Sequence, residues 1–247
     1  MAVIADLTIG PLKAECVEPL EGYARALNEA CESDPPPFGM RWYGERYRAL
    51  AIDPSWLAAS LVQNAQVEGD GARKLWGLAG RTVDQRIARL VQSHAVDESR
   101  HALLYLAMLN LAFPGAVDAD LKPLLTGISP CFSPHDQPPT LSPSPPEWVL
   151  DELVQMNIGE IRTRINQLLL RPMLRAHTPE QNRPRLQLVL DSLLADETKH
   201  IAYTARLIQE AIDAGQGGYV SNVFSQRVSD FNEITLAEVG TERFTGE

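Results

Sequence analysis

Apolar residues recur every three or four positions along four stretches of the chain, which is the spacing of one face of an α-helix. The helices predicted from this pattern cover residues 54–80, 82–113, 147–171 and 185–214 approximately. Asp53 and Pro54 are typical of a helix start, as N-cap and first helical residue, and Pro114 ends the second stretch. Because no stretch alternates in the manner of a strand, the pattern predicts an all-α fold.

The four predicted helices form two hairpins. A short polar connection around Val83 joins the first two helices, and a turn at Thr178 and Pro179 joins the last two. The segment 114–146 is too rich in proline to form a continuous helix or a central strand. A loop of this length is unusual inside a compact domain, but it can run along a bundle so that the second and third helices lie parallel. This layout predicts a four-helix bundle with one long crossover.

Weaker patterns flank and interrupt this core. Residues 1–52 are interpreted as an N-terminal extension in which Pro19 breaks a patchy helical spacing, and residues 215–247 as a C-terminal tail. Pro172 predicts the end of the third helix or a kink in it. For a chain of 247 residues one domain is the default interpretation, with residues 53–214 as its core.

Composition and charge disfavour several classes of protein. The formal net charge of -10 and the pI near 5.0 disfavour nucleic-acid binding, which rests on clustered lysine and arginine. Cys16, Cys31 and Cys131 form no Cys-x-x-Cys motif, which disfavours a disulfide framework or a zinc ribbon and fits a reducing compartment. No signal peptide or transmembrane span is predicted, so we expect a cytoplasmic protein without a membrane partner.

Two matching Asp-Glu-x-x-His phrases lie on the second and fourth predicted helices. Glu98 and His101 form one pair, and Glu197 and His200 form the other. Residues three apart share a helix face, so each pair can bind one metal ion between its side chains. Both pairs interrupt rows of apolar residues, and a buried carboxylate needs a compensating charge. The phrases therefore predict two metal-binding positions in the core.

Each predicted hairpin also places a lone glutamate at the height of one pair. Glu68 and Glu98 are equidistant from the middle of the first turn, and Glu160 and Glu197 are centred on the second turn. Glu152 competes with Glu160, but its midpoint with Glu197 falls in a less turn-like stretch. The hairpins thus predict four carboxylates and two imidazoles at one level of the bundle.

Other interpretations of these residues stay open. Each pair can be an exposed surface pair, the buried set can be a metal-free hydrogen-bonded network, or the helices can form a structural bundle without metal. Asp97 and Asp196 are candidates for orienting the imidazoles, or they are solvated surface acids. Gly69, Gly71 and Gly159 flank the lone glutamates and leave room for metal, dioxygen or substrate, or mark a bulge or close helix packing.

The six candidate ligands resemble the ligand set of ferritin-like di-iron carboxylate proteins: Glu68, Glu98, His101, Glu160, Glu197 and His200. The resemblance covers residues 53–214. It implies a ferritin-like bundle in which these side chains bind two iron ions, with an iron and manganese pair as the alternative, and activate dioxygen as co-substrate. No separate catalytic acid or base is identified.

The resemblance leaves two hypotheses about activity. The first is a non-haem di-iron oxygenase or oxidase that acts on a small organic substrate, takes electrons from an unidentified donor and has a homodimer as its candidate assembly. The alternative is a ferroxidase or other iron-handling protein, which the chain length and the lack of an evident acidic mineral surface disfavour. A rubrerythrin-like peroxidase is disfavoured by the missing cysteine pairs, and a transfer-RNA hydroxylase by the negative charge.

Two more residues extend the inward row of the second helix. His94, one turn before Glu98, is a candidate extra ligand or lines the site. Arylamine N-oxygenases of this superfamily carry an extra histidine on the last helix, where this chain has Leu193. Tyr105, one turn beyond His101, resembles the position of the radical tyrosine in the small subunit of class I ribonucleotide reductase, although a packed core tyrosine is the favoured interpretation.

Overall fold

The computed structural model describes residues 7–8, 10–12, 20–117 and 121–239, and none of these residues forms a strand. The helices of the continuous segments are, in chain order, α1 (Glu21–Ser33), α2 (Arg41–Ala51), α3 (Pro54–Arg81), α4 (Gln85–Ala112), α5 (Leu121–Thr126), α6 (Pro146–His177), α7 (Arg183–Ala211) and α8 (Gly217–Val239). The prediction of an all-α fold is confirmed. Within the described residues, no helix is both long and apolar enough to cross a membrane.

Local capping signals set the starts of α3 and α4. The carboxylate of Asp53 accepts a hydrogen bond from the N–H of Ser55 at 2.9 Å, which confirms the predicted cap. Asp84 accepts from the N–H groups of Arg86 and Ile87 at 2.8 and 3.0 Å. The second helix therefore begins a few residues later than predicted, because Asp84 has extended backbone and serves as its cap.

The predicted end of the third helix near residue 171 is wrong. Helix α6 continues through Pro172 to His177, although a proline inside a helix removes one hydrogen-bond donor and crowds the preceding turn. Leu170 and Leu174 lie on either side of it and are both buried, so tertiary packing compensates for this loss. The helix ends at His177, and the hydroxyl of the capping residue Thr178 donates to the carbonyl of Leu174 at 2.6 Å.

The segment after α7 is helical, which corrects the prediction of a weakly patterned tail. Helix α7 ends at Ala211, and the chain leaves helical geometry at Gly215, which has a φ of 93° within a short π-type turn over Ile212–Gln216. Helix α8 then starts directly at Gly217 and buries Val220, Phe224 and Val228, which follow one another at intervals of four. The apolar residues of this segment are too sparse for the sequence pattern alone to predict the buried face of α8. Residues 240–247 lie outside the described residues.

Residue contacts divide the chain into two compact units. Unit 1 comprises the described residues up to 49 together with residues 150–169 and 197–239, and α1 packs against α8 within it. Unit 2 comprises residues 50–149 and 170–196, and α3 packs against α4 along its length. The N-terminal extension is helical in its described part, and the predicted break at Pro19 lies outside the described residues.

The long connection between α4 and α6 is anchored on helices of unit 2. The Ser129 hydroxyl donates to the Ser99 carbonyl at 2.6 Å, and the N–H of Phe132 donates to the Ser99 hydroxyl at 2.9 Å. The Phe132 ring stacks on Trp76 with ring centroids 4.2 Å apart. Only the short helix α5 occurs in the described part of this connection, so the prediction that it forms no continuous helix is confirmed.

The described cysteines are free thiols. Cys31 is buried in α1, and burial raises its pKa to about 12, so that the thiol is protonated and unreactive at neutral pH. Cys131 is exposed in the long connection. Cys16 lies outside the described residues.

Candidate metal centre

Unit 2 brings together three of the predicted ligands. Glu68, Glu98 and His101 are all buried, and each offers one ligand atom within 4.8 Å of the others. The Nδ1 atom of His101 lies 3.3 Å from Oε1 of Glu98. Two ligand atoms at right angles on one ion, each about 2.1 Å from it, are about 3 Å apart. The spacing of this pair therefore fits two ligands of one metal ion.

Unit 1 holds the other three predicted ligands. The Nδ1 atom of His200 lies 3.8 Å from Oε2 of Glu160 and 3.8 Å from Oε2 of Glu197. Both distances are below the separation of about 4.2 Å between opposite ligands of one ion. Glu197 and His200 are buried, and Glu160 is partly buried. The glutamate of α6 that faces His200 here is Glu160, which the hairpin argument preferred to Glu152.

The neighbouring groups of unit 2 set the pKa of Glu98. Burial alone would raise the pKa of this carboxyl, but the hydrogen bond with Glu68 and the imidazoles of His101 and His94 lower the pKa more, so that it is held well below its usual range. Glu98 is therefore ionised, which is the form in which carboxyl groups bind metals.

A carboxylate lies near the far side of the His101 ring. The Nε2 atom of His101 lies 3.6 Å from Oδ2 of Asp196, which is longer than a hydrogen bond, while Nδ1 faces Glu98. Arg100 donates to Asp196 at 2.6 Å and to Asp97 at 3.1 Å. Burial lowers the pKa of Arg100, but these hydrogen bonds raise it more. Arg100 thus holds Asp196 close to His101, and the orientation of the imidazole by Asp196 stays a prediction.

Gln167 is a buried residue beside the ligands that the sequence analysis missed. Its Nε2 donates to Oε1 of Glu197 at 2.8 Å, and the other carboxylate oxygen of Glu197 is the one closer to His200. Gln167 follows Glu160 by two helical turns on α6 and so shares its face. A polar residue on the apolar face at that spacing is the signal that could have identified it. The hydrogen bond holds Oε1 of Glu197, so Oε2 is the oxygen that a metal ion beside His200 would meet.

We expect Gln167→Leu to weaken metal binding about tenfold, because residues that orient a ligand typically contribute this much. The measurement is a Mn²⁺ titration with a competing chelator. Gln187→Leu is the matched control, since the side chain of Gln187 donates to Asp191 one turn along the same helix, α7. If both variants bind Mn²⁺ as the unmodified chain does, Gln167 has no role in holding Glu197.

Of the three glycines beside the lone glutamates, Gly69 has a packing role. A Cβ atom at Gly69 would lie 2.4 Å from the carbonyl oxygen of Ile128, whereas one at Gly159 would make an ordinary van der Waals contact at 3.4 Å from the ring of Phe231. A Cβ at Gly71 would lie 4.0 Å from Oε2 of Glu98. Of the predicted uses, close packing therefore applies to Gly69, and Gly71 borders a candidate ligand.

The two further residues of the α4 row are buried. The Nε2 atom of His94 lies 3.2 Å from Oε1 of Glu98, and Tyr105 is buried one turn beyond His101. His94 thus contacts a candidate ligand, while its service as an additional ligand stays a prediction. The burial of Tyr105 agrees with core packing, and a redox role also stays a prediction.

No protein-family model, no curated protein and no solved structure matches the chain. The case for a metal centre therefore rests on the residues themselves and on the distances between them.

Proposed function

We propose that the chain is a non-haem di-iron oxygenase or oxidase that uses dioxygen to oxidise a small organic molecule. One observation carries the proposal. In unit 2, Glu68, Glu98 and His101 offer ligand atoms within 4.8 Å of one another, and in unit 1 the Nδ1 atom of His200 lies 3.8 Å from a carboxylate oxygen of Glu160 and 3.8 Å from one of Glu197. Oxygen and imidazole ligands of this kind favour iron or manganese over calcium or structural zinc.

The same proposal extends to the fold. The helices that carry the six ligand candidates, α3, α4, α6 and α7, would be the core of a ferritin-like four-helix bundle. The segment between α4 and α6 would be its long crossover. The close packing of α3 on α4 across a short turn supports the first hairpin of this arrangement.

Different residues of the chain would bind the metal ions, balance their charge and orient the ligands. Iron held by these residues would supply electrons for the reduction of dioxygen. Glu98 and Glu197 provide buried negative charge that balances the ions, and His101 and His200 provide neutral nitrogen ligands. Gln167 orients Glu197 through its hydrogen bond, and the Asp196 carboxylate lies near the ring of His101. Burial of these groups keeps bulk water away from the site, which strengthens the electrostatic interactions within it.

Metal analysis followed by reaction with dioxygen tests the proposal. The chain is expressed with iron and manganese supplied, and its metal content is measured by mass spectrometry. We expect about two transition-metal ions per chain. After anaerobic reduction, exposure to dioxygen should produce a transient visible absorption band and oxygen uptake. A chain that takes up no metal and keeps its melting temperature in the presence of a chelator would contradict the proposal, because the clusters would then be metal-free polar networks.

A further inference from the structure

Three buried polar side chains form a hydrogen-bonded chain beside the ligands of unit 1. The hydroxyl of Tyr23 donates to Oδ1 of Asn157 at 2.8 Å, and Nδ2 of Asn157 donates to Oγ1 of Thr204 at 2.9 Å. The Thr204 hydroxyl donates to the carbonyl oxygen of His200 at 2.7 Å. All three residues are 0% exposed. This chain, called the Tyr23 chain below, connects α1 to α6 and α7.

The Tyr23 chain meets both ligand-bearing helices one turn from a ligand. Asn157 precedes Glu160 by three residues on α6, and Thr204 follows His200 by four on α7. The amide of Asn157 also donates to the carbonyl of Ile201, the residue after His200, at 3.2 Å. One side chain of α6 therefore bonds to α7 at two points next to His200. These hydrogen bonds fix the distance between α6 and α7 beside the ligands. They therefore fix the distance between Glu160 and His200, which would bind the same ion.

Tyr23 determines which way the Asn157 amide points. An amide group has an acceptor oxygen on one side and a donor nitrogen on the other, and rotation exchanges the two. Because the Tyr23 hydroxyl donates to the oxygen, the nitrogen is directed towards α7. Tyr23 is itself held in place, since its ring packs edge-on against Phe224 with centroids 5.9 Å apart and its N–H donates to Gln209 at 2.9 Å.

We infer that Tyr23, Asn157 and Thr204 are positioning residues of the metal centre, and that α1 is thereby a part of it. The inference rests on the proposed function, because it concerns the placement of the ligands Glu160 and His200. Metal–ligand distances tolerate changes of only about 0.2 Å. A small shift of α6 against α7 after loss of the Tyr23 hydroxyl therefore reduces metal affinity more than it reduces the stability of the fold.

The chain contains a matched control for each of two variants. The hydroxyl of Tyr43 in α2 also donates to an asparagine of α6, Asn166, at 2.8 Å. The hydroxyl of Thr235 in α8 donates to the carbonyl four residues earlier, Phe231, at 2.7 Å, as Thr204 does within α7. Tyr43 and Thr235 are both buried, and neither of these two bonds involves α7.

Binding of Mn²⁺ alone to the full chain, followed by electron paramagnetic resonance with a competing chelator, tests the inference. We expect Tyr23→Phe to weaken Mn²⁺ binding about tenfold, and Tyr43→Phe to weaken it less than about twofold. Thr204→Val and Thr235→Val should differ in the same way. Within each pair the melting temperatures of the metal-free proteins should fall by similar amounts, because each variant loses one buried hydroxyl bond.

The outcomes separate this inference from the proposed function. If the unmodified chain binds Mn²⁺ and the two members of each pair bind it equally, the positioning role is overturned and the proposed function stands. If the unmodified chain binds no Mn²⁺, both are overturned. If Tyr23→Phe does not fold, the threonine pair decides the question without it.

Discussion

Glu98→Ala is expected to abolish dioxygen-dependent turnover and to lower the metal content from about two ions per chain to about one or none. Its Oε1 atom lies 3.3 Å from Nδ1 of His101 and 3.2 Å from Nε2 of His94, and its carboxyl group is hydrogen-bonded to Glu68. The alanine substitution thus removes the negative charge that contacts His101, His94 and Glu68. Metal affinity should fall by more than about 100-fold, the upper range for residues that only support a ligand.

Metal content by mass spectrometry and oxygen uptake by electrode measure this effect. The control is Glu233→Ala, at an exposed glutamate of α8, which should keep both ions and full uptake. His200→Ala applies the same test to unit 1, with the exposed His135→Ala as its control. A Glu98→Ala protein that retains two ions and unchanged turnover would show that Glu98 is not a ligand.

Gly80→Ala is expected to reduce the free energy of unfolding by about 2–3 kcal/mol, the usual cost of forcing an atom into a filled space. A Cβ at Gly80 would lie 2.1 Å from the carbonyl oxygen of Pro139. That segment is fixed nearby, because the N–H of Leu141 donates to the Gly80 carbonyl at 3.1 Å. Gly69→Ala should act similarly, since the carbonyl of Ile128 that it would meet accepts a hydrogen bond from Arg73 at 2.9 Å.

Chemical denaturation of the metal-free proteins gives the comparison, and Gly77→Ala is its control. Gly77 lies on the same helix, and nothing lies within 4 Å of a Cβ built on it. Alanine there should raise stability by up to about 1 kcal/mol, because it is the better helix former. If Gly80→Ala proved as stable as Gly77→Ala, the long connection would not pack against α3 at this point.

Local features of the sequence determined α3 and α4 and the pairs of residues that share a face within one helix. The cap at Asp53 and the Glu-x-x-His phrases are local, because a cap acts within one turn and residues three apart share a helix face wherever the helix lies. The contact of Glu160 with His200 was within reach of sequence reasoning as well, since a short turn places the two arms of a hairpin in register. The ligand roles of these residues stay predictions.

Only the tertiary structure decided features that depend on distant residues. Helix α6 passes Pro172 because buried leucines on both sides outweigh the local defect, and α8 forms where the sequence pattern is weak because its apolar face meets a core. Gln167 and Tyr23 reach partners 30 and 134 residues away, so no local spacing records their bonds. Gly69 lies beside a candidate ligand, yet its missing side chain makes room for the backbone of a loop. Helix geometry repeats every few residues and can be read from the chain, whereas contacts between remote segments exist only after the chain has folded.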